Sequence, residues 1–203
     1  MNVHSTGVRR HPILLVILGV SGAGKSTLLR YLEDTFLVES APKYTTRPKR
    51  SAEVDRDFLF VSQEDLPRDK LLIFQSYSHD FGIQIAEIDL SLQRGSSHAV
   101  VVGDQETAAR LVERYENVVV ILAYCDPETL RHRIVGDAAS PRSERWATVE
   151  REIGCIYRQL GYVDVVIDCS GSVREAHAQM DELADWFGLR LSPEPLEAGG
   201  LAR

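Results

Sequence analysis

Residues Gly19-Val20-Ser21-Gly22-Ala23-Gly24-Lys25-Ser26 have the spacing G-x-x-x-x-G-K-S, and Thr27 follows. Glycines at three of these places open backbone conformations closed to other residues, so successive amide N–H groups can converge on phosphate oxygens. Lys25 supplies a point charge for the outer phosphates, and the Ser26 hydroxyl is the kind that ligates Mg²⁺ beside a polyphosphate. Such a loop needs a strand before it and a helix after it, whose positive dipole end then faces the anion. The apolar run Ile13-Leu14-Leu15-Val16-Ile17-Leu18 precedes it and the amphipathic segment Thr27 to Leu37 follows. Residues 19–27 are therefore expected to bind a nucleoside triphosphate, with ATP and Mg²⁺ as the donor complex.

The elements that must carry this loop alternate. Strands are expected at Ile13–Leu18, Ala41–Thr45, Leu71–Tyr77, Ala99–Gly103, Val118–Ala123 and Val163–Asp168, several of them continuous Val/Ile/Leu runs suited to burial on both faces. Helices are expected at Lys25–Leu37, Ile85–Gln93, Gln105–Tyr115, Pro127–Val135, Ser143–Leu160 and Val173–Phe187. Asp126-Pro127 reads as a cap followed by a first-turn proline, Ser172 with Glu175 as a capping box, and Gly188 as a stop. The alternation predicts a three-layer α/β fold with a mostly parallel sheet, ligands gathering at the carboxyl ends of its strands. Asp104 follows the strand at 99–103 and so falls beside the phosphate loop. It can hold Mg²⁺ through water, polarise the acceptor site, or cap the next helix.

Two stretches interrupt the pattern. Arg47–Val61 is polar, then short and β-like, and with Leu71–Gly82 it can form a small lobe over the sheet, about 43–85 in all. Gly136–Glu144, small and charged, is placed to be a lid. The expected organisation is an arm at 1–12, one domain at 13–188, and a tail at 189–203.

The chain has 203 residues, 44% hydrophobic and 26% charged, enough for one well-buried domain. A net charge of −7 argues against a nucleic-acid partner, although it leaves a phosphate ligand open because that depends on local charge. No run approaches the ~20 apolar residues of a membrane span. Cys125, Cys155 and Cys169 are far apart and in mostly apolar surroundings, reading as reduced core or near-core thiols of a cytoplasmic protein, and the histidines lack zinc-like spacing.

Four features together resemble the guanylate kinase family. Gly19–Thr27 is similar to its G-x-S-G-x-G-K-S-T-L. Thr45-Thr46-Arg47-Pro48-Lys49-Arg50-Ser51-Ala52-Glu53-Val54 is similar to its T-T-R-x-P-R-x-G-E-V, one residue shorter. Asp57-Phe58-Leu59-Phe60-Val61-Ser62 resembles its D-Y-x-F-V-S, and Phe81-Gly82 with the following helix and the strand Val100–Asp104 resembles its Y-G element. The resemblance spans roughly Ile13 to Phe187. It implies a kinase whose acceptor carries a phosphate gripped by Arg47 and Arg50. Two guanidiniums three residues apart can indeed converge on one phosphate, although Lys43, Lys49 and Arg56 nearby also fit a solvated basic patch.

The departures bear on the acceptor. The family's guanine-reading acid falls near Leu72 and its guanine-reading hydroxyl at Ile83. A serine that touches the acceptor phosphate falls at Lys43, and two phosphate-binding tyrosines fall at Phe58 and Phe81. The resemblance thus implies a phosphate site at Lys43, Arg47, Arg50, Phe58 and Phe81 without guanine readers, which argues against strict guanylate kinase activity. The run Phe81–Leu92 looks closer to the Y-G-V-x-V-E-I-D-L element of ribose 1,5-bisphosphate phosphokinases, whereas Val102-Gly103-Asp104 departs from that branch's N-G-S. The family also places a Gly-Arg pair after the helix ending at Val135, where this chain has Gly136-Asp137. Arg145, then Arg151, are the expected replacements on the transferring phosphoryl group, with Lys25 and Asp104 completing the catalytic set. The alternatives are a regulatory nucleotide switch or an interaction module with little transfer. The switch lacks support, since no D-x-x-G starts at Asp104 and no N-K-x-D occurs.

Overall fold

The computed structural model describes residues 11–49, 56–76, 78–136, 142–157 and 161–192. In chain order the elements begin β1 (Leu14–Leu18), α1 (Lys25–Thr35), β2 (Val38–Glu39), β3 (Lys43–Thr45) and β4 (Phe58–Phe60). A 3₁₀ turn at Arg68–Lys70 leads into β5 (Leu71–Ser76), β6 (His79–Gln84), α2 (Ile85–Gln93) and β7 (Ser97–Val102). Then come α3 (Gln105–Arg114), β8 (Val118–Tyr124), α4 (Pro127–Gly136), α5 (Arg142–Ile156), β9 (Val165–Asp168) and α6 (Val173–Phe187).

Five parallel strands in the order β2-β7-β1-β8-β9 make the main sheet. Successive strand residues point to opposite faces, and all five side chains of β1 are buried, so both faces of the sheet are covered. Helices α1 and α6 lie against each other and against the sheet, while α3 lies over β1, β7 and β8. This is the expected three-layer α/β arrangement. Three expected helix boundaries carry their chemistry. Asp126 Oδ1 accepts from the amides of Glu128 and Thr129, Ser172 and Glu175 form the reciprocal cap, and Gly188 closes α6.

A second, four-stranded sheet in the order β4-β3-β6-β5 stands apart from the first. Here β3 pairs parallel with β4 and antiparallel with β6, and β6 pairs antiparallel with β5. It is the small lobe, with β4 where the sequence reads as β-like. Strands β2 and β6 are not among the strands expected from sequence. Helix α1 ends two residues earlier than expected because Phe36 turns extended and hands the chain to β2. Residues 189–192, expected in the tail, pair back along the end of α1: Leu37 N donates to Arg190 O at 2.7 Å and Ser192 N to Thr35 O at 2.9 Å. The remaining tail and the arm at 1–10 lie outside the described residues. Among the described residues no helix is long and apolar enough to cross a membrane.

Candidate active site

The phosphate loop leaves the carboxyl end of β1 and closes onto α1. Gly24 caps that helix with φ 101°, a left-handed conformation, and a Cβ there would also come within 3.3 Å of the Cys169 Cβ. At Gly19 the constraint is close approach, since a Cβ would stand 2.7 Å from the Ala123 carbonyl oxygen. Val20 and Ala23 are fully buried and anchor the loop to the core. Lys25 curls back over it, its Nζ donating to the Gly19 and Val20 carbonyls at 2.7 Å each. An ammonium already held across the loop needs little rearrangement to meet an anion there.

Across from the loop, the small sheet presents one face. The registers Lys43↔Phe58, Thr45↔Phe60, Thr45↔Phe81, Phe74↔Phe81 and Leu72↔Ile83 put these side chains on a common side. Phe81 is buried, stacked on Phe74 with centroids 5.4 Å apart and edge-on to Phe58 at 6.2 Å. Over Phe58 stand two cations, Lys43 Nζ at 5.3 Å and the Arg47 guanidinium carbon at 4.8 Å from the ring centroid. Arg47, only 9% exposed, also covers Phe60 at 5.4 Å. Lys43 Nζ donates to the Val101 carbonyl at 2.8 Å, which ties the lobe to the end of β7. Burial draws its pKa down to about 7; the positive charges of Lys25 and Arg47 act the same way, and Asp57 opposes them.

Lys43, Phe58 and Val101 line a narrow cleft of about 30 Å³ together with Ser26, Glu33 and Asp57. Its two carboxylates are each paired with an arginine, Asp57 with Arg30 at 3.0 Å and Glu33 with Arg56. A second cavity, about 350 Å³, opens between β5, the end of β7 and α5, with Gln75, Asp104, Gln105 and Arg151 among its walls. Ser26 thus lines the first cleft and Asp104 the second. Asp104 caps α3, Oδ1 accepting from Thr107 N at 2.7 Å and Oδ2 from Thr107 Oγ1 at 2.8 Å. Among the described residues no group of three or more His, Cys, Asp or Glu could hold a metal ion by itself.

Of the remaining expected positions, Arg151 donates to Ala147 O and Thr148 Oγ1 within its own helix. Arg50 and the Arg145 side chain lie outside the described residues, as do 137–141 of the expected lid, which runs from the end of α4 into the start of α5. Cys125 and Cys169 are buried, but Cys155 is exposed on α5, a correction to the expected near-core thiol. A buried carboxylate, Asp80, has no place in the sequence reading. It accepts from Gln63 Nε2 at 2.9 Å, from Gln75 Nε2 at 3.0 Å and from Arg68, while its amide donates to Thr46 Oγ1 at 3.0 Å. Burial alone would raise its pKa, but the bonds from Gln75, Gln63 and Arg68 outweigh that and hold it below the usual carboxylate value. Its signal in the sequence is a lone acid within an apolar hairpin.

Known proteins are similar to this chain. A guanylate kinase of Chlamydia trachomatis serovar D is 34% identical over 139 residues, 63% of this chain and 66% of the relative. A guanylate kinase of Chlamydia pneumoniae is 30% identical over 150 residues, 70% of this chain and 73% of the relative. The chain belongs to the guanylate kinase family. The match spans just under two thirds of the Chlamydia trachomatis relative's length. The crystal structure of guanylate kinase from Anaplasma phagocytophilum shares the fold, with TM-score 0.66 at 20% identity, 87% of this chain and 86% of that one. No protein-family model matches the chain.

Within this family the departures noted in the sequence now have positions. Leu72 and Ile83, where the family places its guanine readers, face each other across β5 and β6, and Ile83 belongs to the main hydrophobic core. Lys43, where the family has a serine, holds the ammonium between the small lobe and the phosphate loop.

Proposed function

We propose that the protein is an ATP-dependent kinase that transfers the γ-phosphoryl group to the phosphate of a small acceptor, making a diphosphate. The observation that carries this reading is the meeting of a phosphate-loop sequence with a pair of cations on the small lobe. An intact G-x-x-x-x-G-K-S loop lies on one side, and Lys43 and Arg47 over the Phe58 ring on the other. The triphosphate would lie along residues 19–27 with Lys25 on its outer phosphates. Ser26 and Asp104 would hold the Mg²⁺ that neutralises its charge. Arg47 and Arg50 would grip the acceptor's phosphate, with Lys43 beside them and Phe58 and Phe81 shaping the wall.

The reaction asks little proton chemistry of the protein. The attacking atom is an acceptor phosphate oxygen, which needs no general base, so positioning and charge neutralisation are the main catalytic terms. The apolar Leu72–Ile83 pair supports an acceptor that is not selected by its guanine edge. Two classes fit, a nucleoside monophosphate taken with weak base preference, and a sugar bisphosphate such as ribose 1,5-bisphosphate.

A transfer screen with labelled ATP tests the proposal against the nucleoside monophosphates and ribose 1,5-bisphosphate. A labelled diphosphate product from at least one acceptor is expected. ATP binding with no transfer to any of them would replace the kinase reading with an interaction module on the same fold.

A further inference from the structure

We propose that Lys43 is a catalytic residue: its ammonium sits between donor and acceptor and contacts the transferring phosphoryl group, the task of the lid arginine that this sequence lacks. The inference rests on the kinase reading and deepens it. Four observations place Lys43 there. It shares a cleft with Ser26 of the phosphate loop, so it lies on the donor's side of the lobe. Its Nζ is fixed by the Val101 carbonyl at 2.8 Å, and Val101 pairs in register with Ile17, two residues before the loop begins. It stands over the same Phe58 ring as Arg47, the acceptor-side cation. Finally, no carboxylate among the described residues comes within 4.0 Å of it, because Asp57 is taken by Arg30 and Glu33 by Arg56.

A lysine so placed is electrostatically incomplete. Among the described residues the charged groups facing it are Lys25 and Glu33 from α1, Arg47 after β3, and Arg56 and Asp57 before β4. The positive members outnumber the acids, and both acids are already paired. Burial and the Lys25 charge lower its hold on a proton. An anion entering between the loop and the lobe supplies what is missing and recharges the amine.

During transfer, one bond forms between an acceptor phosphate oxygen and the γ-phosphorus. The bond from that phosphorus to the β–γ bridging oxygen breaks, and its electron pair leaves with ADP. No proton need move. The three equatorial oxygens of the γ group gain charge-assisted hydrogen bonds from Lys25 on one side and Lys43 on the other.

The test compares Lys43→Arg, Lys43→Met and Arg145→Ala, each checked for an intact melt, by steady-state kinetics across pH. Lys43→Met should lower kcat by about 100-fold or more, the usual loss when one transition-state charge partner is removed. Wild-type kcat/KM for the acceptor should fall on the alkaline side, and Lys43→Arg, always charged, should keep activity and lose that fall. A change confined to acceptor KM in Lys43→Met, an alkaline limb that survives in Lys43→Arg, or a larger kcat loss in Arg145→Ala would each overturn the proposal.

A second measurement does not depend on turnover. The chain has four lysines, so ¹³C-labelled lysine side chains can be resolved by NMR. The Lys43 signal should titrate near neutrality in the free protein and move up by at least about one pH unit when Mg·AMP-PNP binds. An unmoved titration overturns the assignment of Lys43. A moved titration with no transfer to any acceptor sinks the kinase reading and the catalytic role with it, and keeps only the contact between Lys43 and the bound triphosphate.

Discussion

Leu72 of β5 and Ile83 of β6 are cross-strand partners, with Ile83 only 2% exposed. The resemblance to the guanylate kinase family implies a carboxylate and a hydroxyl for a guanine edge at these two places, and on the proposed reading this pair offers that edge only hydrocarbon. Apolar contact alone discriminates related ligands by up to about 100-fold, whereas hydrogen-bonding sites reach 10⁴ or so. Among nucleoside monophosphates, kcat/KM for GMP should therefore exceed that for AMP by less than about 100-fold. A preference for GMP of several thousand-fold would show that other groups read the base.

Arg47→Ala should raise the acceptor KM by about tenfold or more and leave the ATP KM within about twofold, because a phosphate clamp acts in both ground and transition states. The guanidinium also covers Phe58 and Phe60, so a loss of about 1 kcal/mol in stability should accompany it. Initial-rate kinetics with each substrate varied separately give the answer. An effect confined to the ATP KM would reassign Arg47 to the donor.

Asp80 ties the 3₁₀ turn, the residue after β3 and β5 together through Arg68, Thr46 and Gln75. Asp80→Ala strands those donors and should cost about 1–3 kcal/mol in chemical denaturation. It should weaken the acceptor more than ATP, since only the lobe is loosened. Because its carboxyl lies below the ordinary value of 3.8, its contribution is in place above that pH and fades as pH falls through the lower, folded-state pKa. Equal losses for both substrates would mean that Asp80 supports the whole domain.

Lys43 carries a cost where Asp80 carries a gain, with the same direction of change against pH. Unfolded, a lysine keeps its proton to about 10.5, but in the folded, ligand-free protein it gives it up at about 7. Between those values the unfolded chain binds more protons, so this residue's contribution to stability rises with pH. Lys43→Met should thus melt higher than wild type near neutrality, and the gap should shrink as pH rises toward 10. Calorimetric melts at constant ionic strength check this, and a gap independent of pH would contradict it.

Much of the fold is legible in local pattern. The apolar runs of β1, β7 and β8 are continuous because both faces of the sheet are covered, and the caps at Asp126 and Ser172 are written in neighbouring residues. Strand β6 hides because His79, Asp80 and Gly82 read as turn residues. Asp80 is acceptable inside a sheet because Gln75 across the hairpin and the more distant Gln63 and Arg68 donate to it. The phosphate loop is equally local, so its site is visible in eight residues. The character of Lys43 is not. Its desolvation depends on β7, Phe58 and two ion pairs that settle the nearby acids, and none of these is close in sequence.

The most direct test of the account follows a mixture of protein, Mg·ATP and an accepted phosphate ester by ³¹P NMR. The account predicts ADP and a new acceptor diphosphate in equal amounts, with no turnover in a folded Lys25→Ala variant. Release of inorganic phosphate alone, or turnover unchanged in Lys25→Ala, would contradict it.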